Sequence, residues 1–413
     1  MSHHSFIAQR ILPRGRRGFS GTLVHVATAS VALCVVVMIL SIAILRGFQN
    51  EIERKVAGFG SQIVVRSYQT EDAVTIAPIS TDRAEYTKLT QVPSVEHIQS
   101  FAEKGGMLKT EEQIHGIILK GVDRHYDTTF FFESLQEGHL PDFLHGDTSK
   151  RAKNEILVSR RIADKLKLGI EDKVRAYFWQ GDNYRARMFV VAGIYNTDLS
   201  DFDEHYLLGD LSQVQKLNGW DSNLVDGYEL LMPSVPHKQL EYEARETLLP
   251  LLGYDLTVLT LTQRNPTLFA WLDLLNSNIW LIIGIMTLVC IVSIVSTFLI
   301  IIFEQTTNIG VLKTLGCSNG SIRRVFLIIS GRIIMWGILI GNALALTLCL
   351  LQKHFSIISL DPESYSMSFV PIELNALYFI VISIGTLLVS LLAILLPASY
   401  ISKINPAKTV KWE

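Results

Sequence analysis

Lys313-Thr314, three residues after Gly310, is the nearest the chain comes to a phosphate-binding loop. Such a loop needs Gly-x-x-x-x-Gly-Lys-Ser/Thr so that backbone amides surround the phosphates, and Leu312 stands where the second glycine belongs. No His-Glu-x-x-His helix and no Gly-x-Ser-x-Gly elbow occurs. His115, His125, His139 and His145 are scattered, and His3-His4 alone make a poor metal site. Asp201, Asp203 and Glu204 form an acidic cluster, which reads as a solvated loop before it reads as an acid/base pair. Arg332 interrupts an apolar run. It is read as snorkelling to the near face of the membrane, because residues 333–351 are still long enough to cross. These residue types predict no catalytic, cofactor or metal site in this chain.

The chemistry that remains is mechanical, and it centres on EQTTNIGVLKTLGCSNGSIRRV, Glu304 to Val325. Ile309, Leu312 and Leu315 recur every three residues, which predicts a short helix with an apolar face, closed by Gly316. Ser318 is placed to cap a second helix that continues into the next apolar run. A short polar helix joined rigidly to two membrane spans is suited to receive force from a soluble partner. A plain connecting loop with a chance apolar triplet is the alternative.

The elements that must hold this segment are read from composition. The chain has 413 residues, 49% hydrophobic but only 18% charged, below the quarter usual for soluble proteins. The missing charge is concentrated in four apolar runs of spanning length. The expected organisation is an amphipathic segment at 1–20, spans at 21–46, 271–303, 325–351 and 374–397, and a tail at 398–413. A block at 47–270 has ordinary soluble composition. Segment 304–324 and a second loop at 352–373 connect the remaining spans. The first apolar run follows several arginines like a signal peptide, but it is too long and leads into RGFQNEIERKV, so it is read as a retained span.

Orientation is expected from the cations. Arg10, Arg14, Arg16 and Arg17 precede the first span, Lys313, Arg323 and Arg324 lie in or beside 304–324, and Lys403, Lys408 and Lys411 lie in the tail. The 352–373 loop sets Lys353 against Asp361, Glu363 and Glu373. Both termini and 304–324 are therefore expected in the cytoplasm and the large block outside. That block holds none of the four cysteines, so it is expected to fold without disulfides. A net charge of −2 without a basic stripe gives no sign of nucleic-acid binding.

Within the block the period alternates between strand and helix. VEHIQSFAEKGGMLKT and EQIHGIILKGV read as strands among turn-formers, NEILVSRRIADKLKLG as a strand and a short helix closed by Gly169, and Thr81–Leu89 as a helix with Asp82 near its start. A hairpin is expected to turn at Gly181-Asp182-Asn183, with Trp179 and Gln180 completing its tip. The alternation predicts an α+β domain of two subdomains, inserted between the first and second of four transmembrane α-helices.

NIGVLKTLGCSNGSIRRVFL resembles the cytoplasmic coupling segment of the MacB/FtsX superfamily of ABC transporter permeases. Ile309, Gly310, Leu312, Lys313, Leu315 and Gly316 match its usual run, while Asn308 replaces an acidic residue and Cys317 an alanine. LRGFQNEI, NEILVSRRIADKLKLGIEDKV (with Glu171 in place of a common glycine) and LLPASYISKINPAKTV resemble further landmarks. TLTQRNPTLFAWLDLLNSNIWLIIGIMTLV is similar to the stalk and second span of the lipoprotein-releasing (Lol-type) branch. The resemblance implies a non-catalytic inner-membrane subunit that pairs with a second permease subunit. ABC ATPase subunits would bind ATP and Mg and drive it. It also implies contact with membrane lipid, lipoprotein cargo and a periplasmic lipoprotein chaperone, although the tip FWQGDNYRAR is shorter than in the chaperone-recruiting member. MacB-like efflux and FtsX-like envelope signalling stay open as alternatives. So does a membrane-anchored periplasmic binding or sensor protein without an ATPase.

Overall fold

The computed structural model describes residues 19–68, 70–72, 75–110, 113–180, 183–233 and 235–399. The amphipathic segment expected at 1–20 lies almost wholly outside them, as does the tail beyond Ser399. The chain divides into two units. Residues 50–270 with 359–369 form one, and residues up to Gln49 with 271–358 and 370–413 form the other.

Helix α1, Phe19–Gly60, is uninterrupted for 42 residues. At about 1.5 Å per residue it is roughly twice the length needed to cross a bilayer. Val31, Val35 and Ile39 recur at spacing four and are buried, whereas Val26 and Leu33 are exposed. An apolar stripe on a helix that is apolar all round fits a span with lipid on one side and protein on the other.

The unit of residues 50–270 with 359–369 carries two small two-stranded sheets and is built on one large ten-stranded sheet. Its strands are β1 Ile63–Ser67, β2 His97–Lys109, β3 Ile114–Val122, β4 Leu135–Gly138 and β5 Glu155–Ser159, followed by helix α2 Arg160–Leu166. Then come β6 Lys173–Gln180, β7 Asn183–Tyr195, β8 Tyr206–Asp210, helix α3 Leu211–Asn218, β9 Gly227–Leu231 and β10 Leu256–Thr260. The order across the sheet is β10-β1-β9-β2-β3-β8-β5-β7-β4, with β6 paired to both β7 and β2. β3 with β8 and β5 with β7 are parallel, and the remaining pairs are antiparallel. The mixture follows from the connections: hairpins link β2 to β3 and β6 to β7, and longer crossovers bring β7 and β8 beside parallel neighbours.

β2 runs for 13 residues straight through Gly105-Gly106, a pair that local rules assign to a turn. The reason is packing. A Cβ on Gly106 would sit 2.5 Å from the Phe178 ring, so the glycine admits that ring rather than breaking the strand. Helix α2 is closed by Lys167 in the left-handed region (φ 56°) rather than by Gly169, and the 81–89 helix begins only at Ala84, after Arg83. The main core of the unit joins Ile63, Leu119, Val158, Phe178, Phe189 and Val214, uniting strands with α2 and α3.

Helix α4 spans Pro266–Glu304 and lies in the second unit from Trp271 onward, with α5 Thr306–Thr314, α6 Asn319–Phe355 and α7 Ala376–Ala398. Among the described residues, α1, α4, α6 and α7 are the four helices long and apolar enough to cross a membrane. Close approach is made by small residues. Gly337 and Gly341 of α6 lie against Val31 and Val35 of α1, where added Cβ atoms would sit under 3 Å from those side chains.

Candidate functional site

Helix α5 is almost continuous with α4. Gln305 N–H donates to Ile301 O at 3.0 Å, and Ile309 N–H donates to Gln305 O at 2.9 Å. Thr306 Oγ1 donates to Phe303 O at 2.7 Å, and Asn308 Nδ2 to Gln305 Oε1 at 2.5 Å. These bonds satisfy the bend between the helices with protein groups, so the segment is a stiff elbow.

Its far end is a Schellman closure. Cys317 N–H donates to Leu312 O and Gly316 N–H to Lys313 O, both at 3.0 Å, while Gly316 takes φ +86°. A side chain at Gly316 would meet open space but pay the backbone penalty of the left-handed region. Ser318 Oγ then accepts from Ser321 N–H at 3.3 Å and starts α6. The sequence signals for both caps lie within a few residues of each other, and this is why they were legible.

The triplet expected to make one apolar face does not share a face. Three steps along a helix rotate about 300°, so Leu315 has drifted about 120° from Ile309. Ile309 is 1% exposed and packs with Phe298, Ile302, Ile322 and Phe326, and Gly310 is buried beside it. Leu312 is half-buried against the same cluster, and Lys313 is also half-buried. Leu315 is 75% exposed, Val311 is exposed, and Thr307, Asn308 and Thr314 join them on the outward side. One side of α5 thus holds the elbow in place, and the other presents two aliphatic side chains in a polar setting. Arg332 is exposed on α6, in the first half of that helix.

The expected hairpin forms from β6 and β7. Trp179 and Tyr184 are direct cross-strand partners with ring centroids 4.7 Å apart, edge to face, and both are more than half exposed. Gln180 ends β6 and Asn183 starts β7, while Gly181 and Asp182 lie outside the described residues. The pair forms an aromatic tip that buries little against its own domain.

The acidic cluster is split by burial. Glu204 is half-buried and held below the usual carboxylate range, first by its hydrogen bond from Lys165. Asp203 is buried, a correction to the solvated-loop reading. It accepts from Thr197 N–H at 3.0 Å and Thr197 Oγ1 at 2.7 Å, yet desolvation pushes its carboxyl up to about 6. Asp226, which accepts from Glu103 N–H, is likewise pushed up by burial, to about 7. His139, Asp142 and Glu155 bring ligand atoms within 4.8 Å of one another. The Glu155 carboxylate already accepts from Asp142 N–H at 2.8 Å, and His139 Nδ1 bonds Leu140 O at 2.8 Å, so these groups brace a loop.

The most deeply buried ion pair among the described residues carries no motif. Lys120 Nζ on β3 lies 2.6 Å from Glu229 Oε1 on β9, and the two side chains are 1% and 0% exposed. The ammonium also donates to Phe59 O at 2.7 Å, near the C-terminal end of α1, and Gln99 Nε2 donates to Glu229 Oε2 at 2.8 Å. Arg264 Nη1 donates to Gly60 O. Two cations therefore meet carbonyls at the end of a helix where the backbone carries partial negative charge. The only local signal is a lone charge in each of two otherwise apolar strands, GIILKGV and GYELL.

Residues 26–230 match the MacB-like periplasmic core domain, and residues 280–406 match the FtsX-like permease C-terminal segment. The lipoprotein-releasing system transmembrane protein LolC of Xylella fastidiosa is 22% identical over 419 residues, covering 96% of each chain. The corresponding LolE of Haemophilus influenzae is 22% identical over 400 residues, covering 92% of each. The periplasmic region of MacB from Actinobacillus actinomycetemcomitans aligns with a TM-score of 0.35 at 12% identity, over 53% of this chain and 98% of that one.

Proposed function

The chain belongs to the MacB/FtsX superfamily of ABC transporter permeases, and from that membership we propose that it is the permease subunit of a lipoprotein-releasing transporter. It sits in the bacterial inner membrane with 304–324 and both termini in the cytoplasm and the α+β domain in the periplasm. It pairs with a second permease subunit, identical or homologous, and is driven by ABC ATPase subunits that bind ATP and Mg. The observation that carries this reading is similarity to LolC along almost the whole of both chains, across spans and exported domain together.

The mechanism is mechanical. The outward side of α5, with Val311 and Leu315 at its centre, rests in a groove of the ATPase. Burying those two aliphatic side chains supplies the affinity, and Lys313 at the edge adds steering. Because α5 is bonded to the end of α4 and capped into the start of α6, a displacement of the groove moves both spans together. The exported domain follows through the uninterrupted α1, whose end is held by Lys120. Cargo is lifted from the outer leaflet without passing through the bilayer. The aromatic tip at Trp179 and Tyr184 offers a small apolar contact to a periplasmic carrier.

Depletion of the chain tests the cargo. Outer-membrane lipoproteins should accumulate in the inner membrane. Normal sorting combined with altered drug sensitivity or septation would move the chain to efflux or signalling.

A further inference from the structure

Residues 359–369 lie between α6 and α7 in sequence, yet they belong to the exported unit while the helices on either side do not. The segment is folded on itself. Leu360 N–H donates to Ser368 O at 2.9 Å, Tyr365 N–H donates to Asp361 O at 3.0 Å, and Ser359 bridges Phe369. Its Met367 side chain is buried.

Lys55, on α1, is buried although it is a lysine. Its ammonium donates to Thr197 O at 2.7 Å and to Ser366 O at 3.2 Å, and lies 3.3 Å from Asp198 Oδ2. Three N–H groups thus meet three acceptors from two segments, 142, 143 and 311 residues away. Asp198 Oδ2 also accepts from Ser368 Oγ at 3.1 Å, and Ser200 Oγ donates to Pro362 O at 3.3 Å. Asp198 and Ser366 both hold left-handed backbone, at φ 61° and 57°. Such conformations persist in non-glycine residues when surrounding contacts over-determine them. Here both residues face the same ammonium.

We propose that residues 359–369 are a clasp that fastens the α6–α7 connection to the exported unit, with Lys55 as its pin. Resting on the permease reading, the clasp gives motion of α6 and α7 a second route to the exported unit, beside α1 and α4. Lys55 is a positioning residue. Its role is to keep the clasp shut while the spans move.

The test is hydrogen exchange on the full chain in nanodiscs with its co-purified ATPase. In the wild type, amides of 359–369 should be protected. In Lys55→Met they should exchange at least tenfold faster, while β2 and β3 keep wild-type rates. Should Lys55→Met loosen the whole domain, Ser368→Ala, which removes one hydrogen bond, must still raise exchange in 359–369 selectively. Unchanged exchange of 359–369 in both variants overturns the clasp. Addition of ATP should alter exchange across the exported unit in the wild type, and this response should shrink at least severalfold in Lys55→Met with ATP turnover retained. A full response in a variant whose clasp has opened overturns the transmission role. Failure of any ATPase to co-purify with the wild type would count against the permease reading instead, and the exchange rates without ATP would still decide the clasp.

Discussion

Leu315→Asp separates a docking helix from a connector more cleanly than any other change in α5. Leu315 is 75% exposed, so a partner could still bury most of its side chain. Full burial of a leucine is worth about 1.5–3 kcal/mol, which leaves roughly 1–2 kcal/mol for the exposed part. Leu315→Ala should therefore weaken ATPase binding about 5- to 30-fold. Leu315→Asp adds the desolvation of an unpaired carboxylate, several kcal/mol more, and should abolish binding at micromolar partner. The same substitution at Leu312 would confound two effects, because Leu312 packs on the cluster around Ile309 and Phe326. Ile309→Ala is the opposite control. At 1% exposure its truncation should cost about 2–5 kcal/mol of the chain's own stability and act on docking only through that loss. The assay is titration of purified ATPase onto nanodisc-held chain, with thermal unfolding of each variant alongside. Wild-type affinity in both Leu315→Asp and Val311→Asp would refute the outward face as the docking surface.

In the exported domain, Lys120→Met should destabilise by about 3–5 kcal/mol because Glu229 is left charged and buried, and Lys120→Met/Glu229→Gln should recover most of that. Additive losses measured by denaturant unfolding would show that the pair is not coupled. Asp203 and Asp226 have folded pKa values raised above the unfolded one, so the fold holds more protons than the unfolded chain between about pH 4 and 7. The contribution is full below pH 4 and is lost as pH rises through about 6 and 7, on the order of 1.4 kcal/mol per unit per group. Asp203→Asn/Asp226→Asn should flatten this decline in the unfolding midpoint, and a wild-type slope in the double variant would contradict it. Single cysteines at Thr306 and Asn183 in a cysteine-free chain should label oppositely with an impermeant thiol reagent in intact cells, and equal labelling would sink the proposed topology.

What the sequence made legible was local. The four spans announce themselves by the length of apolar runs, and the ends of α5 and α6 by Gly316 and Ser318 at the positions where helix geometry wants them. The hairpin followed from glycine and asparagine between two apolar–polar alternations. The side of α5 that faces outward was not legible, because Ile309 and Leu315 are equally apolar and only the packing of Phe298 and Phe326 distinguishes them. Nor was the straight passage of β2 through Gly105-Gly106, since the ring that needs the space belongs to Phe178. Lys120 with Glu229, 109 residues apart, and Lys55 with Ser366, 311 apart, carry no shared motif. A lone lysine in an apolar strand or at the base of a stalk looks locally like any solvated charge. Its partner is fixed only once the sheet order is known.

In the proposed function this chain converts ATP hydrolysis in a partner into release of lipoproteins from the membrane. The direct measurement places the chain, its second permease subunit and its ATPase in liposomes loaded with a triacylated lipoprotein, and follows lipoprotein appearing in a soluble carrier fraction. The proposed coupling predicts release that requires ATP and Mg, fails with Leu315→Asp, and persists with Lys313→Ala. Vigorous ATP turnover by the assembled complex with no more lipoprotein released than in its absence would contradict it.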